Sequence, residues 1–356
     1  MPSPEKSFYM PEELLSMSPK IAINGFGRIG RMTLRAAIAN PNVELNVVAI
    51  NDLAPAKQLA HLFKYDSVMR EFHGEVDSTE DSIIINGKAI KILSEKDPTK
   101  LPWKELGVDV VLECTGLFTD AAKAKVHLDC GAKKVLISAP AKGEDITVAK
   151  GINDHLYDPA KHNIISNASC TTNCLGPITK VLHETFGIEE GLMVTIHSYT
   201  GDQRLLDAPH SDMRRARAAA LSMVPTSTGA AKAIGLVMPE LKGKFHGYAM
   251  RVPTPNVSVV DLTFKSLKPM TVESINDAIK KAAQSELKGI LQYCDEPLVS
   301  CDFIMNPHSS IVDAALTTVL SPTFAKVVGW YDNEWGYSNR LAEVAQMVAQ
   351  KLPVTA

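Results

Sequence analysis

Lys20-Ile21-Ala22-Ile23-Asn24-Gly25-Phe26-Gly27-Arg28-Ile29-Gly30 decides the fold. Five residues of strand character run into G-x-G-x-x-G, and Arg31-Met32-Thr33-Leu34-Arg35-Ala36-Ala37-Ile38 then takes up helical spacing. Strand, glycine turn and helix in that order are the setting a dinucleotide site requires. Gly25 makes the tight turn, Gly27 lets backbone approach a pyrophosphate, and Gly30 lets helix pack on strand. The phosphates then meet the unpaired N–H groups of a helix N-terminus. A second strand, Leu45-Asn46-Val47-Val48-Ala49-Ile50, ends in Asn51-Asp52. Asp52 stands about 20 residues beyond the turn, the spacing expected for a carboxylate on the adenosine ribose.

Further along, Ser166-Asn167-Ala168-Ser169-Cys170-Thr171-Thr172-Asn173-Cys174-Leu175 places a cysteine among small hydroxylic residues where a helix begins. The apolar spacing continues through Leu182, and Phe186-Gly187 reads as the stop. A thiol in a first helical turn lies near free N–H groups and the positive end of the dipole, which favour the thiolate. A cysteine serving only as a small hydrophobe needs no such neighbours. The run Gly191–Thr200 reads as a strand carrying His197 near its end. A helix followed by a return strand brings Cys170 and His197 within reach, as nucleophile and base. Cys174, one turn on, reads as packing.

A chain of 356 residues exceeds one hydrophobic core, so two domains are expected. With 45% hydrophobic residues, 22% charged residues and a net charge of −3, nothing points to nucleic acid or a membrane as partner. The six cysteines show neither metal-ligand spacing nor a small-scaffold disulfide pattern, so reduced thiols in the cytoplasm and no metal site are expected. Residues 1–19 lack the apolar core of a secretory signal and read as a mobile extension. Alternating strand and helix signals, including Val108–Cys114 and Lys134–Ser138, extend to about residue 169. Longer β-rich stretches, Asn256–Phe264 and Thr323–Tyr331, follow. The expected architecture is α/β: a Rossmann domain over 20–169, an α+β catalytic domain over 170–335, and a C-terminal segment over 336–356 whose apolar Leu341, Val344, Ala345, Val348 and Ala349 place a helix at about Ser338–Lys351.

With these blocks in place, the chain resembles the phosphorylating glyceraldehyde-3-phosphate dehydrogenases over about residues 19–353. The resemblance rests on Ile23–Arg31, Lys64-Tyr65-Asp66-Ser67, Ile137-Ser138-Ala139-Pro140-Ala141-Lys142, Ala168–Leu175, Ser227–Ala233 and Trp330-Tyr331-Asp332-Asn333-Glu334-Trp335-Gly336-Tyr337-Ser338. The Ser-Ala-Pro-Ala stretch is more similar to the triose enzyme than to its erythrose-4-phosphate relative. Departures are small: Gly176 where alanine is usual, Lys96 where many relatives carry arginine, Ala208, and a divergent Thr119–Lys125.

The resemblance implies a homotetramer that binds NAD, glyceraldehyde 3-phosphate and inorganic phosphate, with the last helix returning to the first domain. It implies Thr200 and Arg251 on the substrate phosphate, and Ser169, Thr171, Arg215, Thr228 and Gly229 on the attacking phosphate. For NAD it implies Gly25, Gly27, Arg28, Ile29 and Gly30 at the turn, Asp52 on ribose, and Lys96, Thr115, Gly116, Ser138 and Asn333 elsewhere. Two rival readings are a same-fold dehydrogenase for erythrose 4-phosphate or another aldehyde, and a non-catalytic NAD-dependent interaction protein.

Overall fold

The computed structural model describes residues 18–352. The N-terminal extension through residue 17 and the last four residues lie outside it. Two sheets organise the rest. The first contains β1 (Lys20–Asn24), β2 (Asn46–Asn51), β3 (Val76–Ser78), β4 (Ser82–Ile85), β5 (Lys88–Leu93), β6 (Val110–Glu113), β7 (Lys134–Ile137), β8 (Ile146–Thr147) and β9 (Ile164–Ser166). Their spatial order is β3-β4-β5-β2-β1-β6-β7-β9-β8. Only the β3-β4-β5 meander is antiparallel; every other pairing is parallel. The chain order therefore reverses at β1, between β2 and β6, and ligands of doubly wound sheets bind at such a switch point.

The second sheet contains β10 (Ile188–Ser198), β11 (Val224–Ser227), β12 (Phe245–Val252), β13 (Ser258–Ser266), β14 (Leu291–Cys294), β15 (Ser310–Asp313), β16 (Thr318–Ser321) and β17 (Phe324–Tyr331). β13 runs antiparallel between β10 and β17. Alternate residues of β13, such as Val260, Leu262 and Phe264, are buried in the period-2 pattern of a strand with one face on a core. Helices α1 (Arg28–Ala39), α2 (Cys170–Phe186), α3 (Ala230–Val237), α4 (Val272–Gln284) and α5 (Trp335–Gln350) complete the frame.

α2 forms because its apolar positions Leu175, Ile178, Val181, Leu182 and Phe186 share one face, which buries into the core of the second sheet. Ser169 caps it by accepting from Thr172 N at 3.0 Å, and Gly187 ends it at φ 69°. α5 does return to the first domain: Tyr337, Leu341, Val344, Ala345 and Val348 share a core with Ile21, Ile23 and Leu112. It begins at Trp335, earlier than the Ser338 expected from apolar spacing. Asp332 explains the early start, accepting from Glu334 N at 3.0 Å and Trp335 N at 2.7 Å. None of the described helices is long and apolar enough to cross a membrane.

Candidate active site

Beside the glycine turn lies a cavity of about 500 Å³ whose wall includes Gly25, Gly27, Asp52, Lys96 and Thr115. The three glycines do different work. Gly25 has φ 92°, and a Cβ there would lie 2.7 Å from Thr115 N. A Cβ on Gly30 would collide with the Gly25 carbonyl oxygen. At Gly27 a Cβ would meet nothing within 4 Å, so open space for a ligand begins there. The cradle thus fits a dinucleotide at the start of α1. Asp52 accepts from Phe26 N at 2.8 Å and from Ala54 N at 3.1 Å, tying the second strand's carboxylate to the turn. Each oxygen keeps a lone pair for a ribose hydroxyl.

Arg28, Ile29, Gly30, Gly116, Ser138 and Asn333 lie outside that wall. Ile29 packs against the core. The Arg28 guanidinium is committed to Asp66 and Glu334. Burial works against its charge, but these two carboxylates outweigh burial and raise its pKa. Arg28 therefore offers a ligand its backbone while its side chain joins the turn to the start of α5. Gly116 adopts φ 75° in the turn after β6, and Ser138 follows β7 directly with its N–H on the Glu113 carbonyl at 3.0 Å. The same turn is held by Glu113, a buried residue that sequence reading missed. Its carboxylate accepts from Asn24 Nδ2 at 2.6 Å and Thr115 N at 2.8 Å, and contacts His127 Nε2 at 3.0 Å.

The chemical centre lies where α2 meets the end of β10. Cys170 is the first residue of α2, and its Sγ lies 3.4 Å from His197 Nε2. His197 Nδ1 is 2.7 Å from the Ser198 carbonyl and 3.2 Å from Arg251 Nη1; the shorter contact is a hydrogen bond only with Nδ1 protonated, and Arg251 has the Ser198 carbonyl and Thr200 Oγ1 as its own acceptors. Nε2 therefore presents its lone pair to the thiol, the tautomer of a general base.

The simple expectation of a low-pKa thiol needs correction. Burial pushes the Cys170 thiol up, against the pull of the Arg251 charge and of Thr171. Burial first, and then Arg251, push His197 down to about 3. Each group alone is thus held neutral. Transfer of the proton along S–H···Nε2 creates opposite charges 3.4 Å apart, whose attraction is about 5 kcal/mol at an effective dielectric near 20. That attraction opposes both shifts, so thiolate and imidazolium stand or fall as a pair. Cys174 has no such partner: it is fully buried against Ser310 and Gly329, and burial raises its pKa to about 12. All six cysteines are free, and no cluster that could hold a metal ion occurs among the described residues.

Thr200, Arg215 and Arg251 come together around a residue the sequence did not single out, Asp202. Arg251 Nη1 donates to Thr200 Oγ1 at 2.9 Å, while its buried Nε has no partner among the described residues. Asp202 pairs with Arg215 and accepts from the Thr200 hydroxyl. Burial disfavours its charge, but that hydroxyl and the two guanidiniums hold its pKa below the ordinary carboxylate value. A side-chain carboxylate thus occupies the kind of position a phosphate oxygen would take. Arg215 Nε donates to Thr226 Oγ1 at 3.0 Å, which fixes it along β11 on the approach to Thr228 and Gly229. Gly229 caps α3, and Thr228 Oγ1 accepts from Ala230 N at 3.2 Å. Ser169 and Thr171 are less open than expected. The Ser169 hydroxyl caps α2, and Thr171 Oγ1 bonds Tyr331 Oη at 2.9 Å beneath the site.

Comparison with known proteins agrees with this geometry. The NAD binding domain of glyceraldehyde 3-phosphate dehydrogenase matches residues 19–121, and the C-terminal domain of the same family matches residues 169–333. The glyceraldehyde-3-phosphate dehydrogenase of Geobacillus stearothermophilus is 58% identical over 335 residues, covering 94% of this chain and 99% of that protein. That of Mycobacterium avium is 59% identical over 341 residues, covering 94% of this chain and all of the relative. Glyceraldehyde-3-phosphate dehydrogenase 1 of Bacillus subtilis is 56% identical over 335 residues, again with 94% and 99% covered. With both domains matched and more than half the residues shared along nearly the whole length, the chain belongs to the glyceraldehyde-3-phosphate dehydrogenase family.

Proposed function

We propose a division of labour among the side chains that performs this family's reaction, the phosphorylating oxidation of glyceraldehyde 3-phosphate. Cys170 Sγ adds to the aldehyde carbon, giving a hemithioacetal. The Nε2 lone pair of His197 takes the hydroxyl proton of that adduct, and the Cys170 N–H faces the developing oxyanion. NAD, when bound, supplies the hydride acceptor. The substrate carbon is left as a thioester on Cys170, which keeps the oxidation energy available to inorganic phosphate. Phosphate attack then releases 1,3-bisphosphoglycerate and the thiolate. The observation that carries this reading is the 3.4 Å contact between Cys170 and His197 with Nδ1 tied to the Ser198 carbonyl.

Arg251 and Thr200 hold the substrate phosphate, and Arg215 with Thr228 and Gly229 receives the attacking one. The orphaned Nε of Arg251 supports the first assignment. Arg251→Ala is expected to raise the aldehyde KM, and Arg215→Ala the phosphate KM, each about 10- to 150-fold. Initial rates with each substrate varied in turn check the separation; equal effects on both constants would merge the two sites. Ser169 and Thr171 join the phosphate only by giving up their present partners.

NAD is preferred to NADP because Asp52 would face the added phosphate. Like charges about 4 Å apart cost roughly 1 kcal/mol in water and about 4 kcal/mol at an effective dielectric of 20, or about 5- to 1000-fold. Lys96 on the same wall offsets part of that repulsion. Asp52→Ala is expected to narrow the NAD/NADP ratio of kcat/KM. An unchanged ratio in that variant would remove Asp52 from the ribose site.

The working form is a cytoplasmic homotetramer whose two domains divide near residue 169. Leu205, Leu206, Met213, Leu221 and Met223, all strongly exposed on the segment after β10, support assembly of chains through that segment. Light scattering at micromolar concentration should give the mass of four chains; a stable monomer would contradict it.

A further inference from the structure

Asn333 sits between the two halves of the site. Its neighbour Glu334 is paired with Arg28 at the glycine turn. On its other side, Tyr331 places its ring edge-on against His197, 6.0 Å between centroids. A side chain in this position lies on the path between the pyrophosphate turn and the general base, where the nicotinamide end of the cofactor must reach.

The Asn333 amide is not free to choose which end it presents. Ser198 N–H donates to Ser258 Oγ at 3.1 Å, and Ser258 Oγ lies 2.8 Å from Asn333 Oδ1. A backbone N–H can only donate, so the Ser258 oxygen is an acceptor in the first bond. Its single proton has no other acceptor among the described residues, so this buried hydroxyl is satisfied only when the nearer Asn333 atom is the carbonyl oxygen. The Asn333 Nδ2 group is left without a partner among the described residues. Ser198, Ser258 and Asn333 are all buried, so solvent does not scramble the arrangement. The brace is itself fixed: the Ser198 hydroxyl donates to the Val257 carbonyl at 2.7 Å, and Val257 is held at φ 66°, a conformation β-branched residues avoid.

We propose that Ser258 is a positioning residue for cofactor recognition, locking the Asn333 amide so that it offers only N–H donors and selects the carbonyl oxygen of the nicotinamide carboxamide. The inference rests on the reading of Asn333 as a cofactor residue. It also ties that recognition to catalysis, because the Ser198 unit that donates to Ser258 carries the carbonyl orienting His197.

The test compares NAD with 3-acetylpyridine adenine dinucleotide, in which a methyl replaces the carboxamide NH2 and the carbonyl remains. The wild type should use both, since the carbonyl is what it reads. In Ser258→Ala the amide turns freely. NAD can still meet an outward Oδ1 through its NH2, whereas the acetyl group cannot. The kcat/KM of the analogue should therefore fall about 3- to 10-fold further than that of NAD, and Ser258→Thr should restore the ratio. A ratio of two cofactors on one preparation does not depend on how much of it is folded. Equal losses for both cofactors would reduce Ser258 to packing and overturn the proposal. Asn333→Ala separates the underlying reading: if NAD binding, followed by fluorescence titration, is unchanged in that variant, Asn333 does not touch the cofactor and the proposal falls with that reading. If Asn333→Ala weakens NAD while Ser258→Ala changes nothing, only the proposal falls.

Discussion

Cys170→Ala is expected to lose turnover by at least about 10⁴-fold, because no other thiol among the described residues has a histidine partner. NAD binding should persist, since the glycine turn and Asp52 belong to the first sheet and Cys170 to the start of α2. Cys174→Ala is the matched control. Its sulfur contacts Ser310 and Gly329 inside the core, so the substitution should cost about 1 kcal/mol of stability and leave most of the activity. Steady-state assays with a thermal melt on each variant distinguish the two roles. Activity surviving in Cys170→Ala would end the covalent mechanism.

His197→Asn should slow hydride transfer by about 10²- to 10⁴-fold, the usual contribution of a general base. It should also change the thiol in a direction that follows from the site's electrostatics. With His197 present, the thiolate gains an imidazolium partner 3.4 Å away. With asparagine there, that partner is gone, and burial, only partly opposed by Arg251 and Thr171, keeps the thiol's pKa raised. The pH profile of Cys170 alkylation should therefore move to higher pH in the variant, with slower reaction near neutrality. A profile that stays in place would mean that His197 does not share the thiol's proton.

Features built from neighbouring residues were legible in the sequence. The glycine turn and the Cys170 helix start are encoded within about a dozen residues each, so periodicity and capping chemistry reveal them. His197 needed one further step, a helix followed by a return strand, and β10 does bring it to Cys170. Features that depend on distant partners were not legible. Tyr331 claims the Thr171 hydroxyl across 160 positions. Arg251 sits against His197 because β10 and β12 pair in register at those two residues. Both contacts alter the chemistry assigned to their partners, and neither leaves a local trace. Asp202 is close in sequence, two residues beyond Thr200, but a carboxylate among residues proposed to bind phosphate runs against charge complementarity. Asp332 bonds N–H groups two and three residues ahead, a contact that apolar periodicity does not register, so the last helix starts at Trp335 and not at Ser338.

In the proposed mechanism, oxidation leaves a thioester on Cys170 that only phosphate relieves efficiently. A rapid-mixing experiment with saturating glyceraldehyde 3-phosphate and NAD, in buffer free of phosphate and arsenate, tests it most directly. NADH should appear in a burst approaching one equivalent per Cys170 and then nearly cease, with steady turnover restored on adding inorganic phosphate. Steady NADH production that ignores phosphate, with no burst, would contradict it.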